Sequence, residues 1–135
     1  VGFPGETEED FEDVLLLMEE IHFLYAFTYH YNPREGTAAF NMPDKIPDAI
    51  KQKRLERVME LQKKHTQQYL EKFTGQIETV LVTGYSHNNN KELITATERG
   101  MQAAAFGNPS LIGSFARLKT ESFKGNTLRG FFVDV

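Results

Sequence analysis

Two different apolar periodicities meet at Thr74-Gly75, and a chain that changes rhythm once in this way is expected to fold as two unlike parts. Before that point the rhythm is helical. Phe11, Val14, Leu15, Met18 and Ile21 form one stripe, which predicts a helix over 8–22. Pro47 suits a first helical turn, and a long helix is predicted from there to about Phe73. On it, Ile50, Leu55, Val58, Leu61, Tyr69 and Phe73 can face a core, while Lys51, Lys53, Arg54, Arg57, Lys63 and Lys64 read as a solvated face. After Thr74-Gly75 the segments are short. Ile77 to Thr83, Leu93 to Arg99, Ala103 to Phe106, Leu111 to Thr120 and Leu128 to Val135 read as strands, with Gly84 to Asn90 as a turn. Gly107-Asn108-Pro109 and Lys124-Gly125-Asn126 punctuate them. Five short strands in this space predict a small antiparallel barrel. The expected division is therefore 1–72 and 73–135, and the fold class α+β.

The opening stretch, Val1-Gly2-Phe3-Pro4-Gly5-Glu6-Thr7-Glu8-Glu9-Asp10-Phe11, reads as the end of a buried strand, a tight turn and a helix start. Pro4 fixes its own φ, and Gly5 tolerates conformations that other residues avoid. Thr7 can cap the helix, with Glu8, Glu9 and Asp10 in its positive first turn. N–H groups at such a turn can meet a polar ligand; a plain strand-to-helix connection accounts for the same residues. Leu24 to Tyr31 is apolar on both faces, like a strand buried in a parallel sheet, and Asn32 to Pro43 reads as a loop. Two helices and one or two strands bury little by themselves. The first part is thus expected to be a piece of a β/α fold that starts inside a longer protein. Cut from its neighbours, it is expected to self-associate through strand edges.

Several function classes are excluded or weakened. The chain has no cysteine, so it cannot ligate an iron–sulfur cluster through thiolates or form a disulfide. No apolar run approaches the roughly 18 residues of a membrane span. The four histidines, His22, His30, His65 and His87, are expected to lie far apart, make no ligand pair at helical spacing and read as surface or core residues, with no metal site expected. Glu6 to Asp13 reads as helix-start chemistry, and no catalytic constellation is visible. The net charge of −4 is uneven: residues 1–68 carry 8 basic and 13 acidic side chains, residues 69–135 carry 7 and 6. The second half is therefore the better candidate for a polyanion partner.

Four segments, in order, carry a family resemblance. Gly2-Phe3-Pro4-Gly5-Glu6-Thr7-Glu8-Glu9-Asp10-Phe11 resembles the segment after a late barrel strand in the radical S-adenosylmethionine methylthiotransferases. Tyr31-Asn32-Pro33-Arg34-Glu35-Gly36-Thr37-Ala38-Ala39 is similar to their Tyr-Ser-Pro-Arg-x-Gly-Thr-x-Ala block. Pro43-Asp44-Lys45-Ile46-Pro47 and the charged helix match the next block. The tail through Asn126-Thr127-Leu128-Arg129-Gly130 resembles their TRAM domain, a small OB-like β-barrel associated with RNA. The likeness covers essentially the whole chain. Arg34 resembles the tRNA-modifying (MiaB-type) branch, where the ribosomal-protein-modifying relatives tend to carry an acidic residue.

The resemblance implies a C-terminal fragment: the end of a radical S-adenosylmethionine β/α barrel followed by a TRAM barrel. The parent would be a cytoplasmic enzyme that adds a methylthio group to N6-isopentenyladenosine beside the tRNA anticodon. It would use S-adenosylmethionine and two 4Fe-4S clusters, one held by a Cys-x-x-x-Cys-x-x-Cys motif that this chain lacks. The fragment alone would be inactive, with the rest of the parent chain and the tRNA anticodon stem-loop as partners. The implied cofactor-side residues are Gly2, Phe3, Pro4, Gly5, Glu6, Arg34 and Thr37, with loop bracing as the other role for Arg34. The implied RNA-side residues are Lys91, Arg99, Arg117, Lys119, Phe123, Lys124 and Arg129, with core packing as the other role for Phe123. Relatives commonly show Gly-Arg-Thr where this chain has Thr95-Ala96-Thr97, one cation fewer. A non-catalytic RNA-binding module and a fragment of the ribosomal-protein-modifying relative are the alternatives.

Overall fold

The structure, a computed structural model, describes residues 1–87 and 89–133, with the backbone alone described for Asn89 and Asn90. The chain forms two compact units, Val1–Thr66 and Gln67–Val135.

In the first unit, α1 (Glu8–Ile21) begins where the sequence places its cap. Thr7 Oγ1 accepts from the Asp10 N–H at 3.1 Å, and the Asp10 carboxylate accepts from the Thr7 N–H at 2.8 Å. The helix ends at His22, whose N–H still donates to the Met18 carbonyl and whose left-handed backbone (φ 54°) turns the chain off the helix. Phe11, Met18 and Val58 form the buried cluster, with Val1, Leu15, Phe23 and Leu61 packed on it. A second helix, α2 (Asp48–Phe73), supplies Val58 and carries on into the other unit.

Two expectations fail here. Leu24 to Tyr31 is not a sheet strand: Tyr25, Phe27 and Tyr29 are exposed, Phe27 by 90%. Among the described residues its main-chain pairing is limited to Val1, which donates its N-terminal N–H to the Tyr29 carbonyl and accepts from the Tyr31 N–H. Side chains of α2 take the place of the missing strands. Gln62 Nε2 donates to the Phe23 and Leu24 carbonyls, Thr66 Oγ1 to the Leu24 carbonyl, and Lys51 Nζ to the Tyr31 carbonyl. The second failure follows from the first. Lys51 and Arg54 are buried, not solvated, because the unpaired backbone and acidic turn beneath them need donors.

The second unit is a closed five-stranded barrel: β1 (Ile77–Ser86), β2 (Asn89–Thr97), β3 (Gln102–Phe106), β4 (Phe115–Lys124) and β5 (Thr127–Val133), ordered β1-β2-β3-β5-β4 and closed between β4 and β1. This is the OB-like barrel expected, with one correction: β3 and β5 pair in parallel, so the sheet is not wholly antiparallel. The chain leaves β3 through Gly107, takes a 3-10 turn at Pro109–Leu111 capped by Asn108, and runs β4 back against β1. That crossing leaves β5 to close on β3. The same turn delays β4, which starts at Phe115 rather than Leu111. Gly84 lies within β1 beside a register shift, so the predicted turn from Gly84 is shorter; Asn88, which it includes, lies outside the described residues. So do Asp134 and Val135 of the last predicted strand.

Val80, Val82, Leu93, Met101, Leu118 and Leu128 fill the barrel. Thr120, fully buried, ties helix to sheet: its hydroxyl donates to the Phe73 carbonyl at 2.6 Å and accepts from the Gln76 N–H. Gly130 is demanded by close approach, since a Cβ there would overlap the Lys119 carbonyl.

Candidate functional site

The Gly2–Glu6 turn is held by a carboxylate. Both Glu6 oxygens accept from the Gly2 N–H at 2.9 Å, and Oε1 also accepts from Arg54 Nη1 at 2.6 Å. Arg54 continues to Glu8 Oε2 at 2.9 Å and lies over the Phe11 ring. Burial alone would lower the Arg54 pKa; hydrogen bonds and charge from Glu8 and Glu6 overcome it and raise it. The Gly5 N–H donates to the Asp44 carbonyl and the Glu6 N–H to the Phe3 carbonyl, so these donors are engaged within the chain. Gly2 (φ 81°) leaves room for the Lys51 stem, which a Cβ would overlap; around Gly5 (φ 85°) the space is open. Phe3, about half exposed, meets the Tyr31 ring edge-on at 5.2 Å. Arg34 and Thr37 lie in an exposed loop. There the Arg34 carbonyl, not its guanidinium, braces the turn by accepting from Thr37 Oγ1 at 2.7 Å. The Arg34 guanidinium has no ion-pair partner among the described residues.

On the barrel, strand alternation turns Arg117 and Lys119 outward, opposite the buried Leu118 and Thr120. Lys119 sits between Phe131 of β5 and Ile77 of β1, and Arg117 between Val133 and Thr79. Phe131, Ile77 and Phe115 are exposed, so this face interleaves cations with apolar and aromatic surface. The other candidates are dispersed. Arg99 stacks over Phe73 at 4.8 Å and approaches Glu78 at 3.7 Å. Arg129 is ion-paired with the buried Glu92. Lys124 sits at the β4–β5 turn and Lys91 on β2, both exposed, and Phe123 is half-buried. Arg129 also lines a cleft of about 450 Å³ with Tyr85, Ser86, Gln102 and Thr127. Phe131, Phe115 and Tyr85 were missed by the sequence reading. Phe131 and Phe115 stood in predicted strands, but only the register shows that they point outward; Tyr85 fell in the predicted turn and lies instead in β1.

A third grouping corrects the histidine expectation. His22 and His65 are not apart: their rings stack with centroids 4.4 Å apart, and Glu19 Oε2 lies 3.2 Å from His65 Nε2. His65 is fully buried. The hydrogen bond from His65, followed by the charges of Lys64, His65 and His22, holds the Glu19 carboxyl below its ordinary range. The signal in the sequence was Glu19 and His22 at i,i+3, which share a helix face.

The fold and site define a protein of two unlike units, a helical one with an acidic turn and a closed OB-like barrel with cations and exposed rings on an outer face. No family model matches the chain. Curated relatives do, along nearly all of it. It is 49% identical over 131 residues to the tRNA-2-methylthio-N(6)-dimethylallyladenosine synthase of Treponema denticola, covering 96% of this chain and 29% of the relative. It is 47% identical to the synthase of that name from Treponema pallidum (strain Nichols), covering 98% and 30%. It is 37% identical to that of Aquifex aeolicus, covering 100% and 30%. The chain belongs to this tRNA methylthiotransferase family and spans about three-tenths of the length of these relatives.

Proposed function

We propose that this chain is the C-terminal part of a tRNA-2-methylthio-N6-dimethylallyladenosine synthase, in which residues 73–135 hold the anticodon stem-loop and residues 1–72 complete the reaction chamber. The observation that carries the RNA reading is the outward pair Arg117 and Lys119 set among Phe131, Ile77 and Phe115. Cations on such a face meet phosphates while an exposed ring offers a stacking platform. Lys124 and Lys91 extend the charge, and Phe123 is a secondary ring. Arg129 and Arg99, already engaged with Glu92 and with Phe73 and Glu78, serve as positioning residues or exchange partners on binding.

The catalytic cofactors of the longer protein fit this chain unequally. It has no thiolate, so a cysteine-held 4Fe-4S cluster takes no ligand from it. The Arg34 guanidinium, without an ion-pair partner among the described residues, and the open side of Gly5 suit the carboxylate and backbone-facing parts of S-adenosylmethionine, which would supply the radical chemistry when bound. Glu6 and Gly2 hold that turn in shape, Phe3 and Pro4 wall it, and Thr37 fixes the Arg34 loop. Among the described residues no helix is long and apolar enough to cross a membrane, and a tRNA substrate argues for the cytoplasm.

Fluorescence anisotropy with a labelled anticodon stem-loop tests the RNA reading. Arg117→Ala and Lys119→Ala should each weaken binding and each lower the slope of log K against log salt by somewhat less than one unit. Binding indifferent to both changes refutes it. The row Tyr25, Phe27 and Tyr29 is covered, on this reading, by the rest of the longer protein; in isolation the chain pairs with a second copy through it. Sedimentation should show dimer for the wild-type chain and monomer for Phe27→Ser, and a wild-type monomer at structural concentrations would refute the pairing.

A further inference from the structure

The two helices of the first unit bring together three donors from opposite ends of its sequence. Glu19 and His22 close the last turn of α1, and His65 faces them from α2. Their ligand atoms all lie within 4.8 Å of one another. A simple Glu19–His65 ion pair explains part of this. It does not explain His22, which holds a left-handed backbone (φ 54°), stacks on the His65 ring and has no hydrogen-bond partner for its ring nitrogens among the described residues. Nor does the pair explain His65 Nδ1, which is buried without a partner, so that Nε2 on the Glu19 side is the only nitrogen in use.

We propose that Glu19, His22 and His65 form a binding site for a borderline divalent transition metal of the Zn²⁺ type. Two imidazoles and one carboxylate are the donor set of open, three-ligand zinc sites, whereas Mg²⁺ and Ca²⁺ select oxygen donors. Metal–ligand bonds of about 2.0–2.1 Å in a tetrahedron place donor atoms roughly 3.3 Å apart. The Glu19–His65 pair, at 3.2 Å, already has that separation. His22, exposed at the helix end, offers its ring nitrogen within 4.8 Å of both. Lys64, 3.8 Å from the other Glu19 oxygen, is itself more than half exposed and free to swing away. The bound ion would pin the end of α1 to α2, with its fourth position open to water or another donor.

The test is Zn²⁺ titration of the untagged full chain against a chromophoric chelator, with Co²⁺ as a spectroscopic substitute. The expected result is one equivalent bound, visible Co²⁺ bands, and affinity lowered about tenfold or more by His22→Ala and by Glu19→Gln but not by His87→Ala. His22 and Glu19 are exposed, so both variants should keep the apo fold, checked by circular dichroism. Absence of saturable binding at one equivalent, or a loss below about tenfold in either variant, overturns the proposal.

Discussion

Replacing Arg54 by Ala tests whether the acidic turn is held by one buried cation. The Arg54 side chain is 7% exposed and bonds Glu6, 14% exposed, at 2.6 Å and Glu8, 61% exposed, at 2.9 Å. Its removal leaves the Glu6 carboxylate with the Gly2 N–H alone in a half-closed pocket. Breaking a buried pair by truncating one partner costs about 3–5 kcal/mol. The exposed Glu8 bond adds under about 1 kcal/mol. Because Glu6 keeps its Gly2 bonds, the lower end applies, and the expected loss is about 3 kcal/mol. Urea unfolding followed by far-UV circular dichroism, with hydrogen exchange of the α1 amides, reads it. A double-mutant cycle with Glu6→Gln should show a coupling of about 2 kcal/mol, since residues in direct contact are non-additive. A loss under about 1 kcal/mol, or additive effects, would refute the clamp and make Arg54 a passenger on a turn held by its glycines.

Gly130→Ala should disrupt the β4–β5 pairing, because the overlapping atom is the Lys119 backbone carbonyl and not a side chain that can move. We expect loss of more than about 3 kcal/mol, or no folded barrel, read by thermal unfolding of the full chain; a near-neutral result would mean that the strands sit further apart. Asp10 is held below its ordinary value of 3.8, first by the backbone hydrogen bond from Thr7 and then by its hydroxyl. Its folded value is depressed, so its support for α1 is present above pH about 4 and is lost as pH falls through the folded value. Asp10→Asn should flatten that acid limb in hydrogen exchange of the first α1 turn, and an unchanged limb would remove Asp10 from the cap.

The helices and the barrel were legible because their signals are local. The stripe from Phe11 to Ile21 and the Thr7 cap sit within a few turns of each other, and α1 and α2 start within a residue of their predicted positions. The short runs after Gly75 announced five strands, all of which formed. The segment from Leu24 to Tyr31 misled because apolar residues in a row fit a buried strand and an uncovered irregular segment equally well. What distinguishes them is whether neighbours supply backbone partners, and here Gln62, Thr66 and Lys51 supply them from 39, 42 and 20 positions away.

The sequence by itself determined the elements of this protein, its two-part organisation and its kinship with the tRNA methylthiotransferases, since periodicity, caps and ordered motifs are written along the chain. The tertiary structure alone decided which polar groups would be buried and which residues would meet. It set β5 parallel to β3, turned Arg117, Lys119 and Phe131 onto one face, drew Lys51 and Arg54 inward, and stacked His22 on His65. The physical reason is that strand register and the desolvation of charge depend on partners distant in sequence, whose worth appears only once the chain has closed around them.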